Sequence, residues 1–101
     1  MLNAFQIFDS HFHIIDKAFP ITPNNGFTPE AFNYRDYQKR TAAYNLCGGA
    51  IVSGSFQGFD QSYLLKALNH LGPSYVGVTQ LPSTVTDAQI IQLNAHRVRG
   101  I

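Results

Sequence analysis

Strand-like and helix-like segments alternate along this chain, and the alternation restricts its fold more than any other feature. Residues 4–13 are apolar and aromatic, and apolar segments of strand character follow at 50–54 and 75–81. Residues 98–101 have the pattern of the start of a fourth strand. Because strands that alternate with helices are usually parallel and joined by right-handed crossovers, the sequence predicts the order β-α-β-α-β-α-β.

The first helix is predicted between residues 28 and 46, with a break near Asn33. Thr28 is suited to the N-cap and Pro29 to the first helical position. Gly48-Gly49 is expected to stop the helix, because glycine readily adopts the left-handed conformation that closes helices.

Two further helices are predicted later in the chain. Asp60 can cap the second helix, which Gly72-Pro73 ends, and Thr86 with Gln89 forms a capping box for the third. Both helices carry apolar residues that are expected to supply packing contacts. These are Leu64, Leu65, Leu68 and Leu71 in the second helix, and Ile90, Ile91, Leu93 and Ala95 in the third.

This order fits either an open doubly wound sheet or part of a (β/α)8 barrel. A complete barrel needs about 250 residues, so the 101 residues of this chain could form only about half of one. Charged residues make up 13% of the chain, against about 25% in ordinary domains, although a small domain has proportionally more surface. We therefore expect a piece of a larger structure, or a chain that covers part of its surface with a partner.

Composition also excludes several classes of protein. An aromatic content of 13% argues against disorder, and a net charge of +1 argues against a nucleic-acid-binding role. No apolar run approaches the roughly 18–20 residues of a membrane span, and no positive region marks a signal peptide at the start. We therefore expect a cytoplasmic location. The single cysteine, Cys47, excludes an internal disulfide and a multi-cysteine zinc site.

The segment with the clearest chemistry is Phe8-Asp9-Ser10-His11-Phe12-His13. Because side chains alternate along a strand, Asp9, His11 and His13 are expected on one face. Two histidines at this spacing can place both imidazoles on one metal ion, and Asp9 could accept a ring N–H or contact the metal. The alternative is that both histidines merely end a strand. Asp9, the apolar strand and the long loop after it favour a metal site.

The same segment resembles the first-strand signature of the amidohydrolase-related branch of the metal-dependent hydrolases, which are TIM barrels. The similarity continues through Ala50-Ile51-Val52-Ser53-Gly54-Ser55, Gly58-Phe59-Asp60 and Tyr75-Val76-Gly77-Val78 to Val98-Arg99-Gly100-Ile101. It therefore implies an α/β fold over residues 1–101, built from parallel β/α units with four strands and three helices. These units would form the N-terminal half of a TIM barrel. Within this branch, the chain resembles in style the dicarboxylate lactonases of aromatic degradation and the related decarboxylases.

The resemblance implies metal-binding or active-site roles for His11 and His13, with Asp9 as a neighbouring support. It implies a divalent metal, Zn²⁺ or Mn²⁺. Some enzymes of this family work without a metal. Ser55, Gln57 and Asp60 follow the second strand at the barrel face where such enzymes bind a small-molecule substrate. An aspartate before a helix, such as Asp60, is more often simply the cap of that helix. Ser55 and Gln57 belong to no motif of their own.

Two functional hypotheses follow. Relatives take further metal ligands and a catalytic aspartate from later strands, which this chain does not contain. The first hypothesis is therefore the truncated start of a hydrolase of a lactone or similar carbonyl substrate, inactive alone. The second is a non-enzymatic α/β module that self-associates through the open edges of its sheet, because unpaired strands favour pairing with another chain.

Overall fold

Four parallel strands form the centre of the structure, a computed structural model that describes residues 5–101. The strands are β1 (Ile7–Phe12), β2 (Leu46–Val52), β3 (Tyr75–Val78) and β4 (Val98–Gly100). They are hydrogen-bonded in the order β1-β2-β3-β4. The helices that connect them are α1 (Tyr34–Arg40), α2 (Ser62–Leu71) and α3 (Asp87–Ala95). The predicted α/β order and the parallel pairing are confirmed.

The strand bounds differ from the predicted ones at several ends. Ala4, the predicted start of the first strand, lies outside the described residues. The first strand ends at Phe12 rather than His13, the second begins at Leu46 and ends at Val52 rather than Gly54, and the third ends at Val78 rather than Leu81. Beyond Val78, the N–H of Thr79 still donates to the carbonyl of Gly100, and the side chain of Gln80 donates to the carbonyl of Gly58, 2.6 Å away.

One face of the sheet packs against the helices. Cross-strand partners place Phe12, Ile51, Gly77 and Val98 in one row. Gly77 lies directly under α2, where Leu64 and Leu68 are almost fully buried. Since side chains alternate along each strand, the residues between these positions face the other side of the sheet.

The predicted start of the first helix is wrong. Asn33 is the N-cap of α1: its side chain accepts from the N–H of Asp36, and the Asp36 carboxylate accepts from the N–H of Asn33, both at 3.0 Å. An antiparallel bridge between Ile15 and Phe32 holds the preceding backbone extended, so the cap-like Thr28-Pro29 stays outside the helix.

The predicted role of Gly48-Gly49 as a helix stop is also wrong, because both glycines lie inside β2. A Cβ atom on Gly48 would lie 2.2 Å from the backbone oxygen of Ser74, and one on Gly49 would lie 2.8 Å from that of Asp9. These glycines allow neighbouring backbone and aromatic rings to approach the strand closely.

The later helices follow the prediction in most respects. Gly72 ends α2 with a positive φ of 98°, and the capping box of Thr86 and Gln89 is present at the start of α3. The N-cap of α2 is Gln61 rather than Asp60. Ile90 and Ile91 are 45% and 70% exposed, so the described residues bury neither of them.

The structure also bears on the expectation about membranes. Within residues 5–101, no helix has the length and apolar character that a membrane-crossing segment needs.

Candidate functional site

Two imidazoles lie together at the carboxyl end of β1. The rings of His11 and His13 are 5.0 Å apart between centroids and nearly perpendicular, at 86°. Both side chains are exposed, whereas Phe12 between them is buried with the helices. The histidines therefore lie on the face of the sheet that the helices leave open.

A backbone carbonyl orients one of the two rings. Nδ1 of His13 lies 2.7 Å from the carbonyl oxygen of Val52, the last residue of β2. Because a carbonyl can only accept, this contact assigns a proton to Nδ1, and Nε2 is then the nitrogen that can bind a metal. Histidines that bind metals commonly donate their other ring N–H to a carbonyl in this way.

The described residues fit a metal site only in part. The two histidines can supply two nitrogen ligands, whereas a catalytic zinc ion usually has three protein ligands and a water. In the part of the chain from residue 5 onward, no three His, Cys, Asp or Glu side chains are grouped around one point. A complete metal centre would therefore require at least one ligand from outside these residues.

Asp9 does not share the face of the two histidines, so that expectation is wrong. Its carboxylate accepts a hydrogen bond of 2.9 Å from the hydroxyl of Tyr37 in α1, on the side of the sheet that the helices cover. The register of β1 against β2 shifts between Asp9 and Phe12, which is the mark of a bulge. A bulge interrupts the alternation on which the prediction depends.

Gln57 is buried in the short 3-10 turn after β2, and backbone groups bind both ends of its amide. Oε1 accepts from the N–H of Gly54, and Nε2 donates to the carbonyl of Ile14, both at 3.0 Å. Ile14 directly follows His13, so this amide joins the loop after β1 to the loop after β2. The geometry gives Gln57 a positioning role, and its predicted substrate contact stays a prediction.

The other two predicted substrate residues lie in the same loop region. The hydroxyl of Ser55 is exposed and accepts from the side-chain amide of Asn24 at 3.1 Å. Asp60 accepts a long hydrogen bond of 3.4 Å from the N–H of Ser62, near the start of α2. Its second carboxylate oxygen is buried and makes no hydrogen bond to the described residues. A substrate role for Ser55 and Asp60 stays a prediction.

Sequence reasoning missed two residues that hold the site in place. Tyr37 anchors Asp9, and Lys66 of α2 forms an ion pair of 3.0 Å with the buried Asp16, three residues after His13. A tyrosine among the polar and charged residues of a helix is a signal for burial and could have marked Tyr37, although the same signal also applies to Tyr34. No sequence signal indicates the contact of Tyr37 with Asp9, because that contact depends on the bulge in β1.

Two buried tyrosines make folding sensitive to alkaline pH. Burial, followed by the hydrogen bond to Asp9, raises the pKa of Tyr37, and burial raises that of Tyr63. The unfolded chain ionises first, near pH 10, so their contribution to stability is complete below that pH and is lost as pH rises above it. In an alkaline titration, we expect two of the five tyrosines to ionise only as the protein unfolds. The loss of the circular dichroism signal reports that unfolding.

The control is the Tyr37→Phe, Tyr63→Phe double variant, whose remaining tyrosines are expected to ionise without a phase linked to unfolding. Ionisation of all five tyrosines in the wild type before the circular dichroism changes would contradict the prediction.

Comparison with known proteins bears on the fold. No protein-family model matches the chain, and a search of curated proteins gives no match. Solved structures do match: a probable 2-pyrone-4,6-dicarboxylic acid hydrolase of Acinetobacter baumannii with citric acid bound has a TM-score of 0.80 at 18% identity. The match covers 90% of this chain and 34% of that one.

Two further structures give the same result. A protein of Agrobacterium tumefaciens, solved in its apo form, has a TM-score of 0.79 at 20% identity, over 92% of this chain and 35% of that one. A proposed 2-pyrone-4,6-dicarboxylic acid hydrolase of Pseudomonas putida has a TM-score of 0.76 at 26% identity, over 93% and 35%. These neighbours are TIM-barrel proteins. The chain has the fold of part of their barrel.

The chain spans about a third of the length of these structures. The likeness therefore shows the fold of this part of the barrel.

Proposed function

We propose that this chain forms the first four strands of a TIM-barrel hydrolase of the amidohydrolase type that acts on a lactone or similar carbonyl substrate bearing carboxylates. The observation that carries the proposal is the pair of exposed imidazoles, 5.0 Å apart, at the carboxyl end of β1. In TIM-barrel enzymes the active site lies at the carboxyl ends of the parallel strands. Two of the matching structures bear the name of 2-pyrone-4,6-dicarboxylic acid hydrolase, which supports the substrate class.

In this proposal His11 and His13 are ligands of a divalent metal, Zn²⁺ or Mn²⁺. The carbonyl of Val52 holds the proton on Nδ1 of His13, so Nε2 is the atom that can coordinate. When bound, such a metal lowers the pKa of a coordinated water and polarises a substrate carbonyl. The residues of this chain contribute the orientation: Val52 fixes one ring, and Gln57 fixes the loop that follows it.

Binding, rather than turnover, is the property that we assign to the described residues alone. They group no third His, Cys, Asp or Glu with the pair, and hydrolysis also needs a group that takes a proton from water. Later strands of the barrel would have to supply both. We therefore expect that this chain alone does not hydrolyse 2-pyrone-4,6-dicarboxylate.

Calorimetric titration with Zn²⁺ and with Mn²⁺ tests the metal site directly. We expect the wild type to bind one equivalent of at least one of the two ions. His11→Ala and His13→Ala are each expected to weaken binding by about tenfold or more, since removal of even an outer hydrogen-bond partner of a metal ligand costs about 10–100-fold.

The matched control is His96→Ala, because His96 lies after α3 and is also exposed. Its affinity is expected to equal that of the wild type. Equal affinities for all three variants, or the absence of binding in the wild type, would contradict a metal site at His11 and His13.

Self-association is the alternative proposal, and the edge of the sheet favours it. In the part of the chain that the structure describes, β1 has a strand neighbour on one side only. Ile7 and Phe8 of this edge strand are 38% and 51% exposed. Sedimentation equilibrium distinguishes the proposals: a dimer that Phe8→Lys dissociates supports association through this edge, and a folded monomer at every concentration rejects it.

A further inference from the structure

The bulge in β1 has a defined position. Asp9 pairs with Gly49 and Phe12 with Ile51, so β1 advances three residues where β2 advances two. In a regular strand, residues three apart face opposite sides of the sheet. The extra residue brings Asp9 and Phe12 to the same side, and His11 lies within the bulged segment.

A single helix residue contacts both ends of this bulge. The ring of Tyr37 stacks on that of Phe12 at 3.9 Å between centroids and 10° between planes. Its hydroxyl donates to Oδ2 of Asp9 at 2.9 Å. Tyr37 is only 3% exposed, so competition from water for this hydroxyl is weak. Tyr37 therefore fixes the position of Asp9 relative to Phe12.

The carboxylate of Asp9 also contacts the bulge itself. Oδ1 accepts from the backbone N–H of His11 at 3.4 Å, while Oδ2 is held by Tyr37. Gly49 leaves the space for this arrangement, since a Cβ there would lie 2.8 Å from the Asp9 backbone oxygen and 3.0 Å from the Phe12 ring. A chain of contacts thus runs from the core to the backbone of His11.

We propose that Tyr37 and Asp9 are positioning residues for the histidine pair. The Tyr37 hydroxyl holds the carboxylate, the carboxylate holds the bulge, and the bulge sets the direction in which the His11 imidazole meets that of His13. Neither residue touches the metal or the substrate. The metal-binding consequence rests on the proposed function, whereas the effect on the His11 ring does not.

The test is Tyr37→Phe, which removes the hydroxyl and keeps the ring stacked on Phe12. NMR spectra of the metal-free protein report the backbone amide of His11 and the ring protons of His11 and His13. We expect these signals to move and the nuclear Overhauser contacts between the two rings to weaken. We also expect affinity for Zn²⁺ or Mn²⁺, whichever the wild type binds, to fall by about tenfold, the effect typical of an outer partner of a metal ligand.

Tyr63→Phe is the matched control, because Tyr63 is also a buried tyrosine, 1% exposed, on α2. It is expected to leave the histidine signals and the metal affinity unchanged. Asp9→Asn keeps an oxygen that can accept from Tyr37, and is expected to perturb the signals less than Asp9→Ala.

The possible failures are distinguishable. If the wild type binds no metal, the proposed metal site fails, and the ring signals still test the positioning pair. If Tyr37→Phe leaves the His11 signals and the contacts between the rings as in the wild type, the positioning inference is overturned, whatever the metal result.

Discussion

Gly48→Ala is expected to destabilise the protein by about 3 kcal/mol, the upper part of the range for overpacked interiors. A Cβ at this position would lie 2.2 Å from the backbone oxygen of Ser74. A backbone atom cannot turn away as a side chain can, so β2 and the start of β3 would have to separate. Thermal unfolding measures the effect, and a loss of this size lowers the Tm of a chain of this length by roughly 10 °C or more.

Gly54→Ala is the control for this substitution. A Cβ on Gly54 would lie 3.5 Å from Oε1 of Gln57, an ordinary van der Waals contact, and the φ of Gly54 is negative. We expect its Tm to stay within a few degrees of the wild type, because the substitution introduces no clash. Equal stabilities of Gly48→Ala and Gly54→Ala would show that β2 does not approach Ser74 as closely as described.

Arg97→Ala is the second substitution with a large expected effect, a loss of about 2–3 kcal/mol. The guanidinium of Arg97 donates to the carbonyl oxygens of Leu68 and Gly72 at the end of α2, and to that of Tyr75 at the start of β3. Hydrogen bonds from a charged group contribute about 1.5–3 kcal/mol, and a cation at a helix C-terminus is further favoured by the helix dipole. Without this side chain, the end of α2 and the start of β3 lose these hydrogen bonds, while Leu64 and Leu68 still pack on the sheet.

Arg99→Ala is the matched control, because Arg99 is exposed and its guanidinium contacts only Asn94 among the hydrogen bonds described for it. Its effect on chemical unfolding is expected to stay within about 0.5 kcal/mol, as for most surface substitutions. Arg97→Lys is expected to lie between the two, since an ammonium cannot reach three carbonyls in the fixed geometry of a guanidinium. A Tm for Arg97→Ala equal to that of Arg99→Ala would contradict the role assigned to Arg97.

Local patterns predicted the elements whose signals depend only on neighbouring residues. The capping box of Thr86 and Gln89, and the stop at Gly72, lie where the sequence predicted them. The stop predicted at Gly48-Gly49 failed because glycine has two common uses. A glycine pair can close a helix, or it can allow close packing within a strand, and the choice depends on residues distant in the chain, here Ser74 and Asp9.

The exposure of Ile90 and Ile91 illustrates a different limit. Their apolar character predicts burial, yet α3 buries none of its residues fully against the described chain. Sequence shows that a residue is suited to a contact, but it does not show whether the neighbouring surface is present.

The sequence by itself determined the parallel α/β order and the strand at whose carboxyl end both histidines lie. These follow from local propensity and from the short period of a strand, which places residues two apart on one face. Only the tertiary structure decided which way Asp9 points, which carbonyl orients His13, and that Gln57 joins two loops. The physical reason is that an extra residue in β1 between Asp9 and Phe12 interrupts the alternation there, and Tyr37, which contacts both of these residues, lies 28 residues from Asp9 along the chain.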